Sequence, residues 1–240
     1  MKKKLPVLLL TVLLVSFGLL YISQGKYRMM AYGGLLSTPK QMTADIEQAY
    51  EKVLCSAVRI QGNGYYGSGS IFKMTANEMI IVTGRHVLTD FDEESYVTFF
   101  NGRMAKAKLL GISSEYDVGF LSVSCESFSE KELLYYRNVR IGEKEYDSIK
   151  KNDCFFMIDL ATDVNNPVYC EGGVVDKEKY LEDYGVKMLY ADGYAVGGMS
   201  GCGVFDERGN YIALLSGSTE QGELAAVPIT AIMAEYEKIR

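Results

Sequence analysis

The sequence predicts an all-β protein of antiparallel strands, and three observations carry that prediction. Short runs rich in β-branched and aromatic residues recur through residues 55–228, separated by turn residues such as Asn63-Gly64 and Asn101-Gly102. The apolar period shifts from helical spacing to two after residue 54, and glycines become frequent there. Helical periodicity of a foldable length is confined to the two flanks, about 39–53 and 229–239. Many short strands at this spacing indicate an antiparallel barrel or sandwich.

At the amino terminus, Lys2, Lys3 and Lys4 precede an uncharged, mostly apolar stretch over 5–25. That is close to the ~20 residues a helix needs to cross the hydrocarbon core. A cleaved secretory signal has a shorter apolar core with a small-x-small site close behind it, whereas here Ser16-x-Gly18 lies inside the apolar run and the first alanine is Ala31. The expectation is a cytoplasmic stub at 1–4, a transmembrane signal anchor at 5–25 and a linker at 26–37, with secretion after signal cleavage as the alternative. Three cytoplasmic lysines place the remainder on the extracytoplasmic side of the cell membrane. Cys55, the first cysteine, lies too far beyond the apolar run to carry a lipid anchor.

Composition narrows the function classes. With 48% hydrophobic and 23% charged residues, the chain can bury a core and is not a disordered tail. Residues 1–30 hold five of the 25 basic residues and none of the 31 acidic ones, so the remainder is strongly acidic and carries no basic cluster. Nucleic acid is excluded as a partner on that ground. Five cysteines without a Cys-x-x-Cys pair, together with a single histidine, leave no metal site of the usual spacing. No cofactor is implied. An odd cysteine count outside the membrane leaves at least one free thiol unless one pairs between chains.

Along the chain, Thr38-Pro39-Lys40-Gln41 has the form of a helix start, with Met42, Ile46, Tyr50, Val53 and Leu54 recurring on one face, so a helix is expected over about 39–53. Strands are expected at 55–61, 69–74, 79–83, 96–100, 106–112 and 118–123. The stretch 124–153, heavy in Glu, Lys and Tyr, reads as a bridge. A second set of strands is expected at 154–160, 168–175, 186–191, 203–206, 211–216 and 224–228. Ile232, Tyr236 and Ile239 share one face of a closing helix at 229–239.

Three stretches carry candidate chemistry. Gly197-Gly198-Met199-Ser200-Gly201-Cys202-Gly203 surrounds one hydroxyl with bare backbone whose N–H groups could bind a developing negative charge. The only histidine, His86, follows the apolar strand Ile80-Ile81-Val82-Thr83 through Gly84-Arg85. Asp117 stands at the entry to the apolar run Val118-Gly119-Phe120-Leu121. A serine hydroxyl is a weak nucleophile near neutral pH. It needs a base beside it, and the base needs a third group to set its tautomer.

Together these stretches resemble the trypsin-like serine peptidases, closest to the Deg/HtrA branch. Thr83-Gly84-Arg85-His86 is similar to that family's Thr-Ala-Ala-His. Asp117-Val118-Gly119-Phe120-Leu121 is similar to its Asp-(Ile/Leu/Val)-Ala-(Leu/Val)-Leu strand, and Gly198-Met199-Ser200-Gly201-Cys202-Gly203 to its Gly-(Asp/Asn)-Ser-Gly-Gly-(Pro/Ala) elbow. Ser56-Ala57-Val58-Arg59-Ile60 followed by Gly67-Ser68-Gly69-Ser70-Ile71-Phe72 also has the look of that branch. The resemblance spans about 53–234. It implies two antiparallel Greek-key β-barrels within a peptidase domain at 38–240: barrel one at about 53–124 and barrel two at about 154–228, with the closing helix after them.

It further implies a catalytic triad of His86, Asp117 and Ser200, with the N–H groups of Gly198 and Ser200 as the oxyanion hole. Leu215, Ser216 and Gly217 would pair with the substrate backbone, and Tyr194 would stand at the floor of the specificity pocket. No acid occupies that floor position, so an uncharged, small or medium residue is expected at the cleavage position. Met199, Cys202, Gly203, Gly84 and Arg85 depart from the family pattern. No peptide-binding PDZ domain is expected after the last strand, nor a trypsin-style activating new amino terminus. The expected function is that of a membrane-anchored extracytoplasmic serine endopeptidase acting on proteins or peptides. A catalytically silent, surface-tethered binding protein on the same fold is the alternative from another class, and an esterase is the alternative among enzymes.

Overall fold

The computed structural model describes residues 44–240 apart from 63, 220 and 221. The expected anchor, the linker and the Thr38-Pro39 cap lie outside the described residues. No described helix is long and apolar enough to cross a membrane.

Helix α1 (Ala44–Leu54) lays Tyr50, Val53 and Leu54 into the core. The Tyr50 ring meets Tyr169 edge-on at 5.9 Å. The first sheet contains β1 (Ala57–Gly62), β2 (Tyr65–Met74), β3 (Glu78–Thr83), β4 (Tyr96–Phe99), β5 (Met104–Lys106), β6 (Lys108–Ile112) and β7 (Gly119–Ser124), in the order β5-β4-β1-β2-β3-β7-β6. Every pairing in it is antiparallel. The single strand expected at 106–112 is therefore two. β5 pairs with β4 at one edge of the sheet and β6 with β7 at the other, with only Ala107 between them. One residue cannot span a flat seven-stranded sheet whose strands lie ~4.8 Å apart, so the sheet rolls up until its edges meet. This is barrel one.

Helices α2 (Glu130–Leu133) and α3 (Glu143–Ser148) and the two-residue β8 (Arg140–Ile141) form the bridge. Tyr136, fully buried within it, packs on Phe99 and Phe128 of the first barrel's rim. The second sheet contains β9 (Cys154–Asp159), β10 (Val168–Leu181), β11 (Val186–Gly193), β12 (Gly203–Asp206), β13 (Asn210–Ser218) and β14 (Glu223–Pro228), in the order β12-β9-β10-β11-β14-β13-β8. An additional β12–β13 pairing closes it into barrel two. β10 runs six residues beyond its expected end at 175, because Asp176-Lys177-Glu178-Lys179 continues to pair with β11 in spite of its polarity, through two register shifts. That charged stretch hides strand character from propensity, since it stands half in water on a projecting hairpin.

The closing helix α4 (Ile229–Ile239) comes directly after β14 yet packs on barrel one. Tyr236 sits 5.3 Å from Phe72 and 5.2 Å from Phe120, ring centre to ring centre. Ile239 lies against Gly111, where an added Cβ would stand 2.8 Å from its Cγ2. The helix thus ties the two barrels together from behind. Phe120→Ala would remove the centre of this cluster and is expected to cost roughly 3–5 kcal/mol. Urea denaturation should show a lower midpoint with an unchanged slope.

Candidate active site

β3 ends at Thr83, whose hydroxyl donates to the Ser68 carbonyl at 2.7 Å. The chain then makes one 3₁₀ turn, His86–Leu88, pinned by buried Val87 and Leu88, which leaves the His86 side chain 47% exposed. Gly84 leaves room for the imidazole and its carboxylate partner: an added Cβ would stand 3.2 Å from His86 Nδ1 and 3.4 Å from Asp117 Oδ2.

Asp117 comes from the turn before β7. Ser113 Oγ accepts from the N–H groups of Glu115 at 3.0 Å and Tyr116 at 2.9 Å, and Ser113 N–H donates to Val118 O at 2.9 Å. Arg85 Nη1 donates to the Ser113 carbonyl at 3.1 Å. The unexpected charge before the histidine therefore braces the turn that carries the carboxylate. Asp117 grips His86 twice: Oδ2 takes Nδ1 at 2.7 Å and Oδ1 accepts the backbone N–H at 3.0 Å. Burial pushes the Asp117 carboxyl up, but the two hydrogen bonds from His86, its charge and the Ser216 hydroxyl outweigh this and hold it below the ordinary value of 3.8. An ionised carboxylate can only accept, so Nδ1 carries a proton, and in the neutral imidazole the lone pair is then on Nε2.

Ser200 lies on the turn between β11 and β12, where Gly198 (φ 98°) and Gly201 (φ 85°) adopt the left-handed region that favours glycine. Hydrogen bonds fix successive peptides of the turn. Met199 N–H donates to Val196 O at 3.1 Å, Cys202 N–H to Met199 O at 2.8 Å, Gly201 N–H to Leu215 O at 2.8 Å, and Ser68 N–H to Ser200 O at 2.8 Å. An added Cβ at Gly201 would collide with the Ser68 carbonyl and the Thr83 hydroxyl and lie 3.0 Å from Gly84 N. The turn is thus pressed onto the end of β3, two residues from His86. Among the described residues the N–H groups of Gly198 and Ser200 have no acceptor, and the Ser200 hydroxyl makes no hydrogen bond.

The other expected residues separate. Leu215 is buried and uses its backbone to hold the turn, accepting from Gly201 N–H and donating to Cys202 O at 2.9 Å. Ser216 is buried, its hydroxyl lacks a hydrogen bond of ordinary geometry, and it faces the Asp117 carboxyl. Gly217 is covered by the hydroxyl of Tyr184, from the tip of the β10–β11 hairpin. Tyr194 is 64% exposed, at the surface and not on the floor of an enclosed pocket. Met199 is fully buried, with its sulfur 3.3 Å from Val196 N. Cys202 is buried and donates to Ile158 O at 2.9 Å, and burial pushes its thiol well above the ordinary value. Such a thiol carries little thiolate and reacts slowly. Among the described residues no cluster of three or more His, Cys, Asp or Glu side chains could hold a metal ion.

The trypsin-like peptidase domain family matches residues 67–214, more than half of the chain and all three of His86, Asp117 and Ser200. The chain belongs to that family. This membership places it among the serine endopeptidases. No curated protein matches the sequence. Among solved structures, the trypsin-like chain is similar to the HtrA-type protease AlgW with decapeptide, with a TM-score of 0.67 at 15% identity, over 81% of this chain and 67% of that one. It is similar also to an AlgW variant with tripeptide, with a TM-score of 0.69 at 18% identity, over 81% of this chain and 63% of that one. The chain thus spans about two thirds of the length of these proteins, and at such identity the likeness is one of fold. Ser68, Asp159, Arg85, Ser113 and Tyr184 carry no functional signal in their spacing. Of these, Ser68 and Arg85 lie inside motifs, Gly67-Ser68-Gly69 and Thr83-Gly84-Arg85-His86.

The lowered Asp117 carboxyl has a consequence for the trypsin-like domain in acid. Because its folded value lies below its unfolded one, the stability it contributes is complete above about pH 4 and is lost as pH falls through the lowered value. Asp117→Asn is expected to be less stable near neutrality, with the deficit shrinking below about pH 4. Denaturant midpoints across pH check this.

Proposed function

We propose that the protein is a membrane-anchored, extracytoplasmic serine endopeptidase working through an acyl-enzyme. The observation that carries the reading is the double grip of Asp117 on His86 beside a glycine turn pressed onto Gly84. Ser200 Oγ attacks the carbonyl carbon of the scissile peptide bond while His86 Nε2 takes its proton. Asp117 keeps Nδ1 protonated and steadies the imidazolium that forms. The negative charge on the carbonyl oxygen is received by the N–H groups of Gly198 and Ser200, which are left without acceptors among the described residues and whose contribution can reach ~10²–10³ in rate each. His86 then gives the proton to the leaving amine, the C–N bond breaks, and water repeats the sequence to release the acyl group from Ser200.

Peptides are the proposed substrates, in keeping with the peptides present with the AlgW structures. The backbone of Leu215, Ser216 and Gly217 is proposed to pair with them beside Tyr194, and without an acid six residues before Ser200 the cleavage position takes an uncharged, small or medium side chain. The apolar stretch 5–25 and the three lysines before it support the anchor and the orientation. A second reading, a silent binding protein on the same fold, draws on the Ser200 hydroxyl, which makes no hydrogen bond to His86.

A fluorophosphonate probe separates the two readings. The purified full-length chain is expected to be labelled, with labelling abolished in Ser200→Ala and His86→Ala and slowed by about 10⁴ in Asp117→Asn, where the tautomer is wrong. A folded wild type that takes no label would favour the silent binding protein.

A further inference from the structure

Asp159, at the end of β9, is fully buried and forms no ion pair among the described residues. Hydrogen bonds alone satisfy it. Oδ1 accepts from Ala161 N–H at 2.7 Å and Ser68 Oγ–H at 2.8 Å, while Oδ2 accepts from Thr162 Oγ–H at 2.6 Å and Thr162 N–H at 3.3 Å. An unpaired carboxylate in the interior is costly, so four donors converging on it make it a deeply constrained point.

What it constrains is Ser68. That residue belongs to β2 of barrel one, whereas Asp159 belongs to β9 of barrel two. Ser68 holds the nucleophile turn at both ends: its N–H donates to Ser200 O at 2.8 Å, and its hydroxyl, shared with Asp159, lies 3.2 Å from Gly198 O. The hydroxyl has one proton, and the carboxylate is both the nearer and the stronger acceptor. Asp159 therefore sets the rotamer of Ser68, and Ser68 sets where the turn sits against barrel one, which carries His86. We propose that Asp159 is a positioning residue that acts through Ser68 to hold the Gly198–Ser200 turn in register with His86, a role that rests on the peptidase reading of the site.

Asp159→Asn tests it. With its NH₂ facing Ala161 N–H the amide loses the Ser68 link outright, and with its NH₂ facing Thr162 N–H it offers Ser68 a neutral oxygen, a weaker acceptor than the carboxylate, so the constraint is broken or weakened with almost no change in volume. In the full-length protein the limiting rate of fluorophosphonate labelling should fall about 10- to 100-fold, the scale set by small misplacements of reacting groups. The apparent affinity for the probe and the fraction finally labelled should stay the same. Ser68→Ala should fall by a similar factor, and the double variant should be no slower than the slower single, because both changes break one link. Factors that multiply in the double variant would overturn the proposal, as would a lowered labelled fraction at an unchanged rate, which is what a purely structural role produces. Should Asp159→Asn not fold, Ser68→Ala carries the test, and an unchanged rate there overturns it. A wild type that does not label would instead overturn the assignment of Ser200. Amide hydrogen exchange over residues 197–203 then judges the clamp without chemistry: faster exchange in Asp159→Asn upholds it and unchanged exchange overturns it.

Discussion

The close contact between the glycine turn of barrel two and the β2–β3 strands of barrel one is the constraint on which the site depends. Ser68 N–H reaches Ser200 O at 2.8 Å, and Gly201 lies so near the Ser68 carbonyl that no side chain fits. Through this contact the turn bearing Ser200 meets the strand leading to His86. The rolling of the first sheet at Ala107, the closing of the second through β12 and β13, and the backward reach of α4 onto Phe72 and Phe120 all serve to hold two separately closed barrels in one register.

Two buried carboxylates flank this seam, and their surroundings differ in kind. Asp117 faces an imidazole, which can accept positive charge from a reacting hydroxyl and have that charge stabilised. Asp159 faces only neutral donors, so its charge can orient groups but has no proton carrier beside it. The difference is the physical ground for reading the first as the partner that orients a general base and the second as an anchor.

Departures from the family pattern find their places in the packing. Met199 and Cys202 are buried beneath the turn, where an apolar thioether and a protonated thiol fill space that would be costly for a charge. Arg85 spans from the histidine turn to the Ser113 carbonyl and so braces the turn that carries Asp117.

The sequence by itself determined most of the strands, the closing helix at 229–239, and the three stretches bearing His86, Asp117 and Ser200, because these rest on local patterns: alternation, apolar faces and glycines flanking a single polar group. It misjudged the end of β10, where charged residues keep pairing, and it fused β5 with β6, because a barrel corner is a property of which edges meet. Only the tertiary structure decided that Ser68 and Asp159, 91 positions apart, share a hydrogen bond, that Arg85 supports the turn of Asp117, and that Tyr184 covers Gly217. Such contacts depend on how two closed barrels dock, and docking is set by the summed shape of their surfaces, which no short run of residues encodes.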